Sequence, residues 1–327
     1  MTYLVTGVAG FIGFNVARRL LERGERVIGI DNLNDYYAVA LKKARLAALA
    51  PHHNHFRFVQ ADIAEIASIR DAISGEKLTK IIHLAAQAGV RYSIDHPETY
   101  GSSNLTGHLN MLEIARNCDT LERMVYASSS SVYGGNTKLP FSEDDPVEKP
   151  VSLYAATKRA DELMSVAYSN LYDLPLIGLR FFTVYGPWGR PDMALWKFAK
   201  AICEDRPIAV YNNGDMRRDF TYIDDIVSGV LAVADQTPAR AVEDGHRLYN
   251  IGNNKPEALM DLIGFLERGL GKEAEKEFLP MQLGDVKETF ADISRISGDY
   301  GFAPTTSLEV GVAKFVDWFK ANNAHLY

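Results

Sequence analysis

Short apolar runs alternate with helix-length amphipathic stretches through the first half of the chain. The runs at 3–6, 27–31, 56–60, 81–84, 124–127 and 176–182 are rich in Val, Ile, Leu, Phe and Tyr, as strands buried on both faces require. Between them, 11–23, 36–50, 65–73, 97–117 and 152–172 repeat apolar residues at three- and four-residue spacing and read as helices. This rhythm predicts an α/β fold with a doubly wound parallel sheet of Rossmann type. After about Gly186 the pattern loosens into loops such as YGPWGRPD and YNNGDMRRDF. We expect a larger doubly wound domain over 1–185 and a smaller α/β lobe over 186–327, with some elements interleaved. A ligand cleft should lie between the lobe and the C-terminal strand ends.

Composition narrows the classes. Apolar residues make up 47% of the 327 positions, enough for a substantial core. A formal charge of −7 with dispersed Lys and Arg gives no footprint for nucleic acid. Cys118 and Cys203 are too far apart for a metal pair and too few for a disulfide framework, which suits a reducing compartment and a cytoplasmic protein. The N-terminal apolar run lacks a basic leader, and no stretch approaches the roughly 18 apolar residues a membrane span needs. His52, His53 and His55 lie together without a Cys or acid at ligand spacing, so we read a solvated loop and no metal. His83, inside an apolar run, reads as a core residue, and the acidic stretch EDDPVEK as a surface loop.

In VTGVAGFIG, Gly7, Gly10 and Gly13 stand three apart between the first strand and the first helix. Three glycines alone serve a tight turn equally well. Asp31 at the end of the second strand decides for a dinucleotide. Gly7, Gly10, Phe11, Ile12 and Gly13 then bring backbone close to a pyrophosphate at the helix N-terminus, and Asp31 accepts from the adenosine ribose. The carboxylate would repel a 2′-phosphate, and Asn32 and Leu33 supply no cation, which favours NAD over NADP. Asp62 and Ile63 should meet the adenine, and Leu84, Ala85 and Ala86 the pyrophosphate and ribose. The small, apolar character of that last trio also suits a buried strand end.

YAATK sets Tyr154 and Lys158 on one helix face. Tyrosine titrates near ~10 in water, and a neighbouring ammonium together with an oxidised nicotinamide favours phenolate, which makes Tyr154 a proton acceptor. The bare spacing also fits a packed Tyr and a solvated Lys. Upstream, ASSSSVYG ends the fifth strand in hydroxyls: Ser129 either bonds the reacting oxygen beside Tyr154 or caps its own turn. No G-x-S-x-G elbow is present to make a serine nucleophilic.

VTGVAGFIG, YAATK and ASSSSVYG resemble the extended short-chain dehydrogenase/reductase superfamily of nucleotide-sugar enzymes. AGVRYSIDHPETY, SLYAATKRADELM, RFFTVYGPWGRPDMA, GDMRRDFTYIDDI and MQLGDV resemble its UDP-glucuronate 4-epimerases, over essentially the whole chain. The resemblance implies an isomerase interconverting UDP-glucuronate and UDP-galacturonate. Tyr154 would be the base, Lys158 would hold the nicotinamide ribose, and Ser129 would complete the set. The C4 hydride would pass to NAD and return to the opposite face of a rotated 4-keto sugar. Dehydrating and decarboxylating relatives carry a carboxylate after the catalytic Ser or Thr, where this chain has Ser130 and Ser131. Thr183 and Arg190 resemble the remaining uronate-recognition residues, although Arg190 could instead pair with Asp192. Arg218 resembles a diphosphate-binding arginine, Asp285 would lie near the uridine ribose, and Ala209 to Tyr211 would wall the uracil. Leu283 replaces the proline expected in that last block. Helices 97–117 and 152–172 carry surplus apolar faces, and the resemblance implies that they pair across a two-fold axis in a homodimer. A UDP-glucose/galactose 4-epimerase and a non-catalytic NAD-binding module remain the alternatives.

Overall fold

The first six strands form where the apolar runs lie: β1 (Thr2–Thr6), β2 (Arg26–Asp31), β3 (Phe56–Gln60), β4 (Lys80–His83), β5 (Arg123–Ser129) and β6 (Leu176–Phe181). In this computed structural model, residues 1–238, 245–282 and 286–322 are described. Side chains of a strand alternate between faces, so Tyr3 and Val5 enter one buried cluster and Leu4 the other. Both faces are covered, by α1 (Phe11–Glu22) and α2 (Val39–Leu49) on one side and α3 (Ile66–Ile73) on the other.

A seventh parallel strand, His246–Ile251, joins the sheet beside β6, giving the order His246–Ile251, β6, β5, β4, β1, β2, β3. The order turns back at β1, which lies between β2 and β4, and loops diverging there open a crevice. A cut at residue 185 therefore follows the sheets only in part, because the seventh strand comes from the second half of the chain. Its HRLYNI sequence mixes polar and apolar residues, as suits a sheet edge, so no continuous run marks it. Helix Ile223–Asp235 likewise returns to pack against α1.

The region 97–116 is helical throughout, but not as one regular helix. Pro97–Tyr100 and Gly107–Arg116 flank a π-helical turn at Gly101–Thr106. In that turn buried Asn104 accepts from the Gln87 N–H at 2.8 Å and donates to the Gln87 carbonyl at 3.1 Å and the Thr157 hydroxyl at 3.0 Å. The wide turn thus ties the loop after β4 to helix Leu153–Tyr172.

The second lobe has a small sheet around Arg217–Tyr222 and a parallel pair, Ile208–Tyr211 with Lys276–Leu279. An aromatic chain fastens it to the nucleotide-binding side. Phe14 of α1 packs on Trp188 at 5.3 Å, Trp188 on Trp318 at 5.3 Å, and Trp318 on Trp196 at 5.2 Å. The acidic run 143–149 is not wholly a surface loop. Glu143 accepts from the Asn250 N–H at 2.8 Å, and nearly buried Asp145 pairs with Lys138 at 2.5 Å. A strand N–H that water cannot reach needs an acceptor, and this run supplies it.

Helix Leu153–Tyr172 is fixed to the sheet by a buried ion pair. Glu162 receives Arg180 Nε at 2.8 Å and Nη2 at 2.9 Å, Ser128 Oγ at 2.6 Å and Arg159 Nη1 at 2.9 Å. Burial works to raise the Glu162 carboxyl, but Arg180 and the hydroxyl hold it below the usual carboxylate range. Removing one partner strands a buried charge. Glu162→Gln is expected to destabilise the fold by about 3–5 kcal/mol, read as a lower urea midpoint at unchanged slope.

Candidate functional site

The strand ends and the second lobe enclose a cavity of about 1040 Å³, above the usual range for one drug-sized ligand. Gly7, Gly10, Phe11, Ile12 and Gly13 form its floor beside Asp31 and Asn32. Gly7 has φ of +70°, and a Cβ there would sit 2.8 Å from the Ala85 nitrogen. A Cβ on Gly13 would come within 2.1 Å of the Gly7 carbonyl. Neither position accepts a side chain, so the backbone of the glycine loop stays open at the start of α1, where the partial positive charge of the helix N-terminus suits a pyrophosphate. Asp31 is locked at the rim, with Oδ2 accepting from the Ala9 N–H at 3.1 Å and Oδ1 from the Leu33 N–H at 2.9 Å. The residues present thus fit a dinucleotide.

Ile63, Leu84, Ala85 and Ala86 continue the wall. Asp62 stands behind it, where its carboxylate accepts from Asn32 Nδ2 and the Ala64 N–H, each at 2.9 Å. It acts on the cavity through Asn32. Lys42 was not anticipated from the sequence: it lines the cavity and donates to the Asn34 carbonyl at 2.7 Å and side-chain oxygen at 2.6 Å. Burial lowers its ammonium pKa against the pull of Asp31. The sequence offers only Asn32 and Leu33 directly after Asp31, whereas Lys42 reaches back from the next helix.

Ser152 caps helix Leu153–Tyr172 by accepting from the Ala155 N–H at 3.1 Å, and its first turns carry Tyr154 and Lys158 into the cavity. Tyr154 packs edge-on against Tyr100, with ring centroids 6.1 Å apart. Lys158 is nearly buried and donates to the Ala127 carbonyl and to Asp161 Oδ2, both at 3.0 Å. Burial pushes the Asp161 carboxyl up to about 6, with Lys158 pulling the other way. His83 is a core residue as expected: its Nδ1 lies 2.7 Å from Thr6 Oγ1, and burial, aided by Lys158, pushes it down to about 3, so it stays neutral.

Ser129, Ser130 and Ser131 line the same cavity. Ser129 Oγ accepts from the Ser131 N–H at 3.2 Å and donates to Ser131 Oγ at 3.1 Å. The turn-capping reading therefore holds, and the capped hydroxyl still borders the cleft. Thr183, Arg190, Ala209, Tyr211 and Arg218 complete the opposite wall. Arg218 Nη1 donates to the Arg217 and Lys287 carbonyls at 2.9 and 3.0 Å, which fixes its head. Arg190 pairs with Asp192, Nε to Oδ1 at 3.0 Å and Nη2 to Oδ2 at 2.5 Å. Asp285 lies outside the described residues. No described helix is long and apolar enough to cross a membrane.

Residues 3–252 match the model of the NAD dependent epimerase/dehydratase family. UDP-glucuronate 4-epimerase 4 of Arabidopsis thaliana is 46% identical over 330 residues, 98% of this chain and 75% of that protein. A probable UDP-glucuronate 4-epimerase of Rhizobium meliloti (strain 1021) is 45% identical over 98% of both chains. Among solved structures, UDP-glucuronic acid 4-epimerase from Bacillus cereus, in complex with UDP-glucuronic acid and NAD, superposes with a TM-score of 0.89. It is 34% identical over 98% of this chain and 99% of that one. With the glycine loop, the Tyr154–Lys158 helix and the serine turn on one cleft, the chain belongs to the NAD-dependent epimerase/dehydratase family.

Proposed function

We propose that the chain is an NAD-dependent UDP-glucuronate 4-epimerase, interconverting UDP-glucuronate and UDP-galacturonate. One observation carries this reading. A single cleft holds Tyr154, Lys158 and Ser129 beside the dinucleotide loop, and in the same walls Ser130, Ser131, Thr183 and Arg190. The first group suits alcohol oxidation, and the second suits a substrate that brings its own carboxylate.

Tyr154 takes the proton of the sugar 4-hydroxyl and later returns it, while Ser129 turns its O–H from Ser131 Oγ to donate to the same oxygen. Bound NAD supplies reversible hydride acceptance at C4. Lys158, already held by Ala127 and Asp161, has one further N–H for the nicotinamide ribose. Arg218 and Asp285 hold the diphosphate and uridine ribose, Ala209 and Tyr211 border the uracil, and this tether keeps the ketosugar in place as it turns. The oxidised sugar is a β-keto acid, which loses CO₂ when its C5–carboxylate bond lines up with the carbonyl π system. Ser130, Ser131, Thr183 and Arg190 hold that bond near the carbonyl plane and keep the intermediate intact.

The pairing of Arg190 with Asp192 also favours a second reading, a UDP-glucose/galactose 4-epimerase in which Arg190 is structural. Turnover of the two substrates decides between them.

An isologous dimer accompanies the activity. Leu109 (39% exposed), Leu163 (54%) and Val166 (37%) leave an apolar face on helices Gly107–Arg116 and Leu153–Tyr172. The free thiols Cys118 and Cys203 support a cytoplasmic location.

Proton NMR of UDP-glucuronate with the protein should show UDP-galacturonate forming faster than UDP-galactose forms from UDP-glucose. Tyr154→Phe should lower that rate by about 10²–10⁴-fold while NAD remains bound. Thr183→Val and Arg190→Ala should each release more UDP-pentose and CO₂ than the parent enzyme; equal amounts would remove the decarboxylation argument. Leu163→Glu should halve the mass measured by light scattering.

A further inference from the structure

We infer that Asp192, backed by Tyr36, is a positioning residue that aims Arg190 at the substrate carboxylate. The inference rests on the uronate reading of the cleft. A guanidinium offers two edges for planar, bidentate recognition. Asp192 takes the Nε–Nη2 edge and leaves the Nη1 side outside its contact. Pairing with Asp192 and binding a uronate are therefore compatible, and the first prepares the second.

The surroundings are built to hold that orientation. Tyr36 donates its hydroxyl to Asp192 Oδ2 at 3.0 Å, and the Arg190 guanidinium lies 5.9 Å from the centre of its ring. Tyr36 is itself wedged edge-on against Tyr92 at 4.7 Å. Burial and the Asp192 charge push the Tyr36 hydroxyl up to about 12, so it remains a neutral donor. Burial works to raise the Asp192 carboxyl, but Arg190 and Tyr36 keep it below the usual range.

The backbone before Arg190 is fixed as well. Fully buried Arg45 donates to the Trp188 and Gly189 carbonyls at 2.6 and 3.0 Å, and to the Ala9 carbonyl in the glycine loop at 2.8 Å. An arginine held at its backbone, its ring-facing side and one edge has little rotational freedom left to lose when a carboxylate arrives. The same restraint fixes the plane from which the guanidinium can hold a uronate. A loose arginine would follow the carboxylate out of the ketone plane, where CO₂ is lost.

The test is calorimetric titration of UDP-glucuronate, and separately of UDP, into NAD-loaded parent enzyme, Asp192→Asn and Tyr36→Phe, with the UDP-pentose fraction measured during turnover. Asp192→Asn should weaken UDP-glucuronate about tenfold, leave UDP within about twofold and raise the UDP-pentose fraction. Tyr36→Phe should act in the same direction by about threefold, and carries the test if Asp192→Asn does not fold. A variant that binds UDP-glucuronate as the parent does, or that loses UDP and UDP-glucuronate affinity in parallel, overturns the positioning role. A parent enzyme that converts no UDP-glucuronate overturns the functional reading itself, and this inference with it.

Discussion

A buried ammonium group governs the arrangement of the reactive side. Lys158 is withdrawn from water, so its charge must be met locally, by the Ala127 carbonyl at the end of β5 and by Asp161 one helical turn on. The contact with Ala127 sets the register of helix Leu153–Tyr172 against β5. Tyr154 lies one turn before Lys158 on that helix, and the Ser129 turn follows Ala127 on that strand. One donor–acceptor pair thus brings the phenol and the serine hydroxyls to the same cavity wall. The second buried pair, Glu162 with Arg180, reinforces the same alignment through Ser128.

The nucleotide side rests on close approach between loops rather than on charge. At the sheet's turning point the glycine loop comes so near the segment after β4 that a methyl group on Gly7 would meet the Ala85 backbone. Asn104 then holds that segment, through Gln87, against the helix carrying Tyr154. Displacement of either loop would move the cavity floor relative to the phenol of Tyr154. This explains a π turn in an otherwise regular helix: the extra width carries a buried side-chain amide to three backbone and hydroxyl partners at once.

What could be read from the sequence was what local chemistry dictates. The six strands, the helix capped by Ser152, the glycine loop with Asp31, and the Tyr154–Lys158 face all depend on neighbours within a few positions. What escaped depends on distant partners. His246–Ile251 becomes a sheet strand only because β6 offers an edge to a segment far along the chain. Lys42 reaches the cavity from a helix, and Asp62 stands behind the wall, bonded to Asn32. For Arg190 both readings were open, because the residues on its other side, Tyr36 above all, come from the opposite half of the molecule.

Under the proposed function, the contrast between an epimerase and a decarboxylase of the same sugar rests on how the cleft holds the carboxylate. Both remove the same hydride and proton and pass through the same β-keto acid, so the fate of the bond to the carboxylate is decided afterwards by how neighbouring groups orient it. A charged acid beside the ketone would repel the carboxylate and weaken its hold near the carbonyl plane. Neutral hydroxyls at Ser130, Ser131 and Thr183 exert no such force and donate directionally. An arginine restrained by Asp192 adds charge balance without freedom to follow a moving carboxylate. On that reading the cleft controls the outcome by limiting which torsions the oxidised sugar can reach, and hydroxyls in place of a carboxylate are what make that restraint possible.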